Sequence, residues 1–313
     1  MLQYLPEQVQ GGPSATDQST RQWARSIALS VLVGVAYYLA ARLSLLLLTK
    51  PDGVAVFWPA SGVAAGVLIA LGPVARLPVA VGAAVATVVA NLMGDRGLMS
   101  AIVFALCNAG EALAAGWLIE RYFGSGFSLD RLSHVLGLLT AAILATTISG
   151  IGGTAGFLYF HNSTAPILST WQHWFASDAL GILTVAPLII ELAATGREPP
   201  SRTELIEGIT ALVALAGSSA AVILLPQGHW GIVVPIALLF PLLLWLAARC
   251  RPIFAAAAAF IIASVSYLLP EFAWIFFADS QSRLSATLFS LAISVASLSW
   301  CSASSSVFLF FFN

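Results

Sequence analysis

The chain is polar over its first 25 residues and then alternates long apolar blocks with short polar breaks. Ten blocks are long enough, or nearly so, to cross about 30 Å of hydrocarbon at about 1.5 Å per residue: roughly 26–48, 54–72, 75–93, 98–120, 134–158, 174–194, 205–225, 230–248, 252–270 and 284–301. The second, third and ninth are short or rich in Gly and Ala, so the number of spans falls to eight if two of them are re-entrant or interfacial. The pattern predicts an all-α fold, a polytopic transmembrane helix bundle of 8–10 spans. It divides the chain into a cytoplasmic tail over 1–25, a transmembrane domain over 26–300 and a low-complexity tail over 301–313. That last stretch is serine followed by phenylalanine, with no charge to anchor it, and it reads as a truncated or frame-shifted end.

Composition agrees with the pattern. Hydrophobic residues are 59% of the 313 and charged residues only 9%, against about a quarter charged in soluble domains. A soluble core cannot absorb that much apolar surface, whereas a bilayer can. The net charge of -1 leaves no electrostatic footprint for nucleic acid. Cys107, Cys250 and Cys301 lie in or beside apolar runs without metal-ligand spacing. The first apolar run is too long for a signal peptide.

Arginine placement sets the expected orientation. With the N-terminus in the cytoplasm, Arg21, Arg25, Arg76, Arg121, Arg131, Arg197, Arg202, Arg249 and Arg251 fall inside, and Lys50, Arg96 and Arg283 outside. Nine against three follows the positive-inside rule and favours an even number of spans in the inner membrane. All loops are too short to fold separately. The longest external one is expected around Tyr159 to Gln172. Trp58, Trp171, Trp174, Trp230 and Trp274 suit the membrane interfaces.

Polar residues inside spans need a reason, because a charge at mid-membrane costs about 2.5–3.5 kcal/mol on insertion scales. Asp178, expected one turn inside the sixth span, and Arg42, near the outer end of the first, are at similar depth and are expected to pair. The pair reads either as a structural bridge locking two helices or as a ligand- or ion-responsive site. Glu111 lies deeper, with Asn108 one turn before it on the same face, turned to the bundle interior. It reads as a protonated group bonded to a neighbour or as a sensing carboxylate, and Asn91 is placed to join either arrangement. Pro59 suits a first helical turn, and Gly62, Gly66 and Gly181 suit close helix packing. His161, His173 and His229 are scattered on the outer side and read as interfacial residues. No phosphate loop, nucleophile elbow or metal motif is present, so no cofactor or metal is expected.

Three stretches in order, Phe57-Trp58-Pro59-Ala60-Ser61-Gly62, Cys107-Asn108-Ala109-Gly110-Glu111-Ala112-Leu113, and Trp171 to Pro187 with Asp178-Ala179-Leu180-Gly181, resemble the first type of bacterial membrane-associated sensor (MASE) domain. Pro241 to Arg249 is similar to the family's later part. The resemblance covers about residues 26 to 300. It implies a sensory input module that normally precedes a histidine kinase, a diguanylate cyclase or a cyclic-di-GMP phosphodiesterase. No such output enzyme is expected within these residues, so the partners implied are the bilayer, an unidentified small ligand or membrane signal, a cytoplasmic kinase or cyclase, and a second copy of the chain. The expected stimulus site is Trp58, Asn91, Glu111, Trp174 and Asp178, with Arg42 as counter-charge. A small-molecule transporter is the alternative, and an intramembrane enzyme lacks a paired catalytic constellation.

Overall fold

The structure, a computed structural model, describes residues 15–45, 48, 53–161, 165–196, 199–224 and 233–274. The described residues form helices α1 (Ala15–Leu45), α2 (Pro59–Leu71), α3 (Arg76–Leu92), α4 (Leu98–Phe123), α5 (Leu132–His161), α6 (Ile167–Thr195), α7 (Arg202–Leu224), α8 (Val233–Arg249) and α9 (Pro252–Trp274), with a 3-10 turn over Gly72–Ala75. The tenth expected span, 284–301, and the tail over 301–313 lie outside the described residues, as do residues 1–14 of the N-terminal tail.

Burial is inverted relative to a soluble protein. Val81, Val85 and Val89 on α3, Ile148 and Ile151 on α5, and Ile206, Ile209 and Val213 on α7 are exposed, while Thr87, Asn91, Asn108, Glu111, Thr146, Ser149 and Asp178 are buried. Apolar faces of this extent have no stable partner in water, and lipid is the solvent that accepts them. The chain is therefore a multi-pass membrane helix bundle. Several interior hydroxyls are satisfied within their own helix: Thr146 donates to the Ala142 carbonyl at 2.8 Å and Thr184 to that of Leu180 at 2.7 Å.

Six helical segments are long and apolar enough to cross a membrane, among them Pro59–Leu92. That segment is not one rod. Gly72 has φ 71, a left-handed conformation that suits glycine, and the chain folds back there so that Trp58 and Asn91, at its two ends, line one cavity. α2 and α3 are two antiparallel legs, as the sequence pattern of two separate runs predicts. At 13 residues, α2 reaches only about 20 Å, short of the hydrocarbon thickness. The rest of its crossing is made by the non-helical stretch Gly53 to Trp58, whose Val54, Ala55, Phe57 and Trp58 are buried among helices. Irregular backbone at this depth survives only where protein surrounds it or where it lines a cavity.

Because its core neighbours need backbone contact, α2 sits at the centre of the first six helices, packed on α1, α4 and α6. A methyl group on Gly62 would overlap the Gly181 carbonyl and one on Gly181 the Trp58 carbonyl, while on Gly66 it would lie 2.9 Å from the Ala186 Cα. These three glycines thus serve close packing between α2 and α6. Helices α7 to α9 form a second group, joined to the first through α6 and α9.

The helices alternate direction. Arg76 pairs with Glu120, Glu191 accepts from Leu129 N at 3.2 Å, Arg249 meets Glu207 at 3.3 Å and Arg251 meets Glu204 at 3.6 Å. All of these lie at the end of the bundle where α1 begins, hereafter the basal end. Among the described residues, Arg21, Arg25, Arg76, Arg121, Arg131, Arg202, Arg249 and Arg251 gather there, and Arg96 lies at the opposite end. Glu191 is a buried group whose loss has a definite cost. Glu191→Leu leaves the Leu129 N–H without an acceptor and is expected to lower stability by about 1–3 kcal/mol, read as a reduced Tm of the purified protein in detergent.

Candidate functional site

At the end opposite the arginines, α3 finishes in a tight return. Asn91 Nδ2 donates to the Thr87 carbonyl at 2.8 Å, and the Asn91 carbonyl accepts from Gly94 N at 3.0 Å and Arg96 N at 3.1 Å. Asp95 takes the left-handed φ of 59 that closes this turn. The turn sends Arg96 back into the bundle. Its guanidinium donates to Asn91 Oδ1 at 3.0 Å and to the Gly53 carbonyl at 2.8 Å. It also lies 5.7 Å from the Phe104 ring centroid and 6.0 Å from that of Phe157. Burial lowers the Arg96 pKa from its ordinary value, but an arginine starts so high that it stays charged near neutral pH.

Arg96 forms one wall of a small cavity, ≈ 30 Å³ in volume, which Trp58, Asn91, Asn108, Trp174, Ser177 and Asp178 also line. Two local features place the tryptophans. Pro59 starts α2 inside the bundle, so Trp58 sits just before it, donating from its backbone N to the Ser177 carbonyl at 3.3 Å and from Nε1 to Tyr37 Oη at 3.2 Å. Trp174 packs 5.1 Å from Phe104 and fills the groove beside Gly153. Both indoles are only 8% exposed. They therefore belong to the core and not to an interfacial belt: Trp58 is enclosed where the Gly53 to Trp58 segment enters the bundle, and Trp174 lies about two turns inside α6.

Beneath the cavity lie the carboxyl groups. Asp178 Oδ2 accepts from Ser149 Oγ at 3.4 Å, and Glu111 is a direct electrostatic neighbour of Asp178. Ser61 and Ser149 also approach Glu111. Yet among the described residues no donor reaches either Glu111 oxygen in hydrogen-bond geometry, and the same holds for Ser61 Oγ, Ser177 Oγ and Asn108 Oδ1, while the Trp174 Nε1–H finds no acceptor in such geometry. Asn108 Nδ2 is turned instead to Thr87 Oγ1, at 3.5 Å. Two carboxyl groups, two hydroxyls and one amide oxygen thus share a buried interior with spare acceptor capacity.

Of the five expected site residues, Trp58, Asn91, Trp174 and Asp178 converge on the cavity, and Glu111 stands behind Asp178. Two expectations are corrected. Asp178 is not one turn into its span: α6 begins at Ile167, so Asp178 is 3% exposed and about 16 Å along the helix. The stretch 167–173 continues the helix behind Pro166 at its N-cap, which shortens the expected external loop. Nor do Arg42 and Asp178 pair. The Arg42 guanidinium reaches the Ala90 carbonyl at 3.5 Å, and the groups acting on Asp178 are Glu111, Trp174 and Ser149. The cation at this site is Arg96, together with the hydroxyls of Ser149 and Ser177 that sequence reasoning also passed over. The one signal pointing to Arg96 was Gly94-Asp95, a pair suited to a tight return.

The described residues include no cluster of three or more His, Cys, Asp or Glu side chains, and Cys107 and Cys250 are free thiols. The cavity brings a guanidinium, a carboxyl group, two amides and a hydroxyl to one place. A lipid-embedded helix bundle with a small internal cavity, and an unwound segment leading into it, defines a multi-pass membrane domain. The chain belongs to the MASE1 family of membrane-associated sensory domains, whose model matches residues 29–298. No curated protein and no solved structure matches it.

Proposed function

We propose that this chain is the input module of a bacterial signalling protein, in which a stimulus received in the Arg96–Asp178 cavity changes the packing of α2 against α4 and α6. The carrying observation is that the family's recurring stretches meet at one place: Trp58 and Ser61 from α2, Asn108 and Glu111 from α4, and Trp174 and Asp178 from α6. A ligand that binds two packings with different affinity shifts their populations, and a few kcal/mol suffices. Helices α7 to α9, which contact the first group through α6, carry the shift to the basal end, where a histidine kinase or cyclic-di-GMP enzyme is the expected partner.

The basal end faces the cytoplasm of the inner membrane, supported by its eight arginines against Arg42 and Arg96 toward the other. A cysteine introduced by Ser125→Cys is expected to react with an impermeant maleimide only after the membrane is opened, and one introduced by Asp95→Cys in intact spheroplasts. The reverse pattern removes the orientation. For the function itself, residues 1–300 are fused to a diguanylate cyclase. Output should respond to ionic and osmotic conditions in the wild type and become unresponsive in Asp178→Asn. Output that stays flat under every condition tells against the sensor reading.

One observation favours a second reading. Non-helical backbone lining a cavity at membrane depth is a transporter device, and Gly53 to Trp58 supplies it here. Uptake of a labelled solute by proteoliposomes that saturates and is lost in Asp178→Asn favours a carrier.

A further inference from the structure

Beside the Trp174 N–H, the unpartnered atoms around Asp178 share one chemistry. Glu111 Oε1 and Oε2, Asn108 Oδ1, Ser61 Oγ and Ser177 Oγ are all oxygens, all on residues no more than 4% exposed, and all without a hydrogen-bond donor among the described residues. They come from α2, α4 and α6 and surround or adjoin Asp178. Buried hydroxyls such as those of Thr146 and Thr184 turn to their own helix, and Thr154 Oγ1 and Ser219 Oγ are isolated exceptions on α5 and α7, whereas the free oxygens of α2, α4 and α6 gather around Asp178.

Volume and charge narrow the occupant. A cavity of ≈ 30 Å³ has room for about two waters, which is too small for an amino acid or a sugar. With both carboxyl groups ionised, as a bound cation favours, they and the Arg96 guanidinium leave one net negative charge in an apolar surround. A single monovalent cation restores neutrality, whereas a divalent ion overshoots, and Mg²⁺ gives up its waters reluctantly. Carboxylate, amide and hydroxyl oxygens are hard donors suited to such an ion, and no thiol or imidazole is among them.

We propose that Glu111, Asp178, Asn108, Ser61 and Ser177 form a binding site for a largely dehydrated alkali cation, Na⁺ in the first instance, between α2, α4 and α6. The ion ties the amino end of α2 to α4 and α6, so its occupancy sets the packing of the segment that enters from Gly53. The inference uses the cavity of the proposed sensor site, but its assay reads ion binding alone, with no signalling output, so either can fail without the other.

The full chain, purified in detergent, is unfolded thermally at pH 7.5 while NaCl replaces choline chloride at constant ionic strength. A saturable rise in Tm of roughly 5 °C is expected, the size for a ligand at about 100 times its Kd. KCl producing a similar rise also supports an alkali site. Glu111→Gln should lose the rise yet unfold in choline no earlier than the wild type. Should Glu111→Gln not fold, Ser177→Ala decides: half-saturation moves roughly tenfold higher in Na⁺ if the hydroxyl is a ligand, and an unchanged midpoint overturns the site. Equal Tm in NaCl, KCl and choline overturns it as well, and so does a Tm that follows pH but no cation, since a proton is then the occupant.

Discussion

Gly181→Ala should unfold the bundle, or nearly so, although alanine is the better helix former by about 1 kcal/mol. The added methyl meets the Trp58 carbonyl, and this neighbour is backbone that cannot rotate aside. Overpacking in a core usually costs about 1–3 kcal/mol. Here the two chains are already in contact along α2 and α6, so the cost is expected at or above the upper end of that range. Gly110→Ala is the matched control. Gly110 is also helical but has nothing within 4 Å of the added carbon, so the same substitution is expected to be neutral or stabilising by about 0.5–1 kcal/mol. Thermal unfolding of the two purified variants beside the wild type tests both, and equal Tm values would refute the packing account of the Gly181 region.

A comparably large loss is expected for Arg96→Leu. The side chain makes two hydrogen bonds from a charged donor and lies over two aromatic rings. Bonds to charged groups contribute about 1.5–3 kcal/mol each and ring contacts about 0.5–2 kcal/mol, while leucine leaves Asn91 Oδ1 and the Gly53 carbonyl without their donor. A loss of at least about 3 kcal/mol is the result. Arg96→Lys recovers little of it, since one ammonium cannot reproduce the planar fork. Arg42→Leu is expected to cost under about 1 kcal/mol, because its side-chain bond among the described residues is 3.5 Å long. This contrast tests the correction made above. Were Arg42 the partner of Asp178, its removal would be the damaging one.

Several parts of the site were legible as one-dimensional pattern. Asn108 and Glu111 lie three apart in a span, so helical period alone turns both to the interior, where they are 4% and 2% exposed. Gly62, Gly66 and Gly181 announce close contact because lipid gives helices no hydrophobic reason to approach and small residues are what permits it. Depth was harder. It was counted from the apparent helix start, and the polar stretch around Gln172 and His173 hid the true start of α6 at Ile167. The same error put Trp58 and Trp174 at the interface, since an aromatic beside a polar stretch looks alike whether the stretch meets water or folds inward.

The sequence by itself determined that the chain lives in lipid, how its helices alternate, and at which end its arginines gather. Each follows from the free energy of moving apolar or charged groups between water and hydrocarbon, a property of residue type and order. Only the tertiary structure decided that Arg96 and not Arg42 lines the cavity with Asp178, that Gly53 to Trp58 enters the bundle unwound, and that the spare oxygens of three helices converge. Those outcomes depend on helix rotation, on the return of the chain at Asp95 and on backbone contact between α2 and α6. All are relations between segments far apart in the chain, which no local pattern encodes.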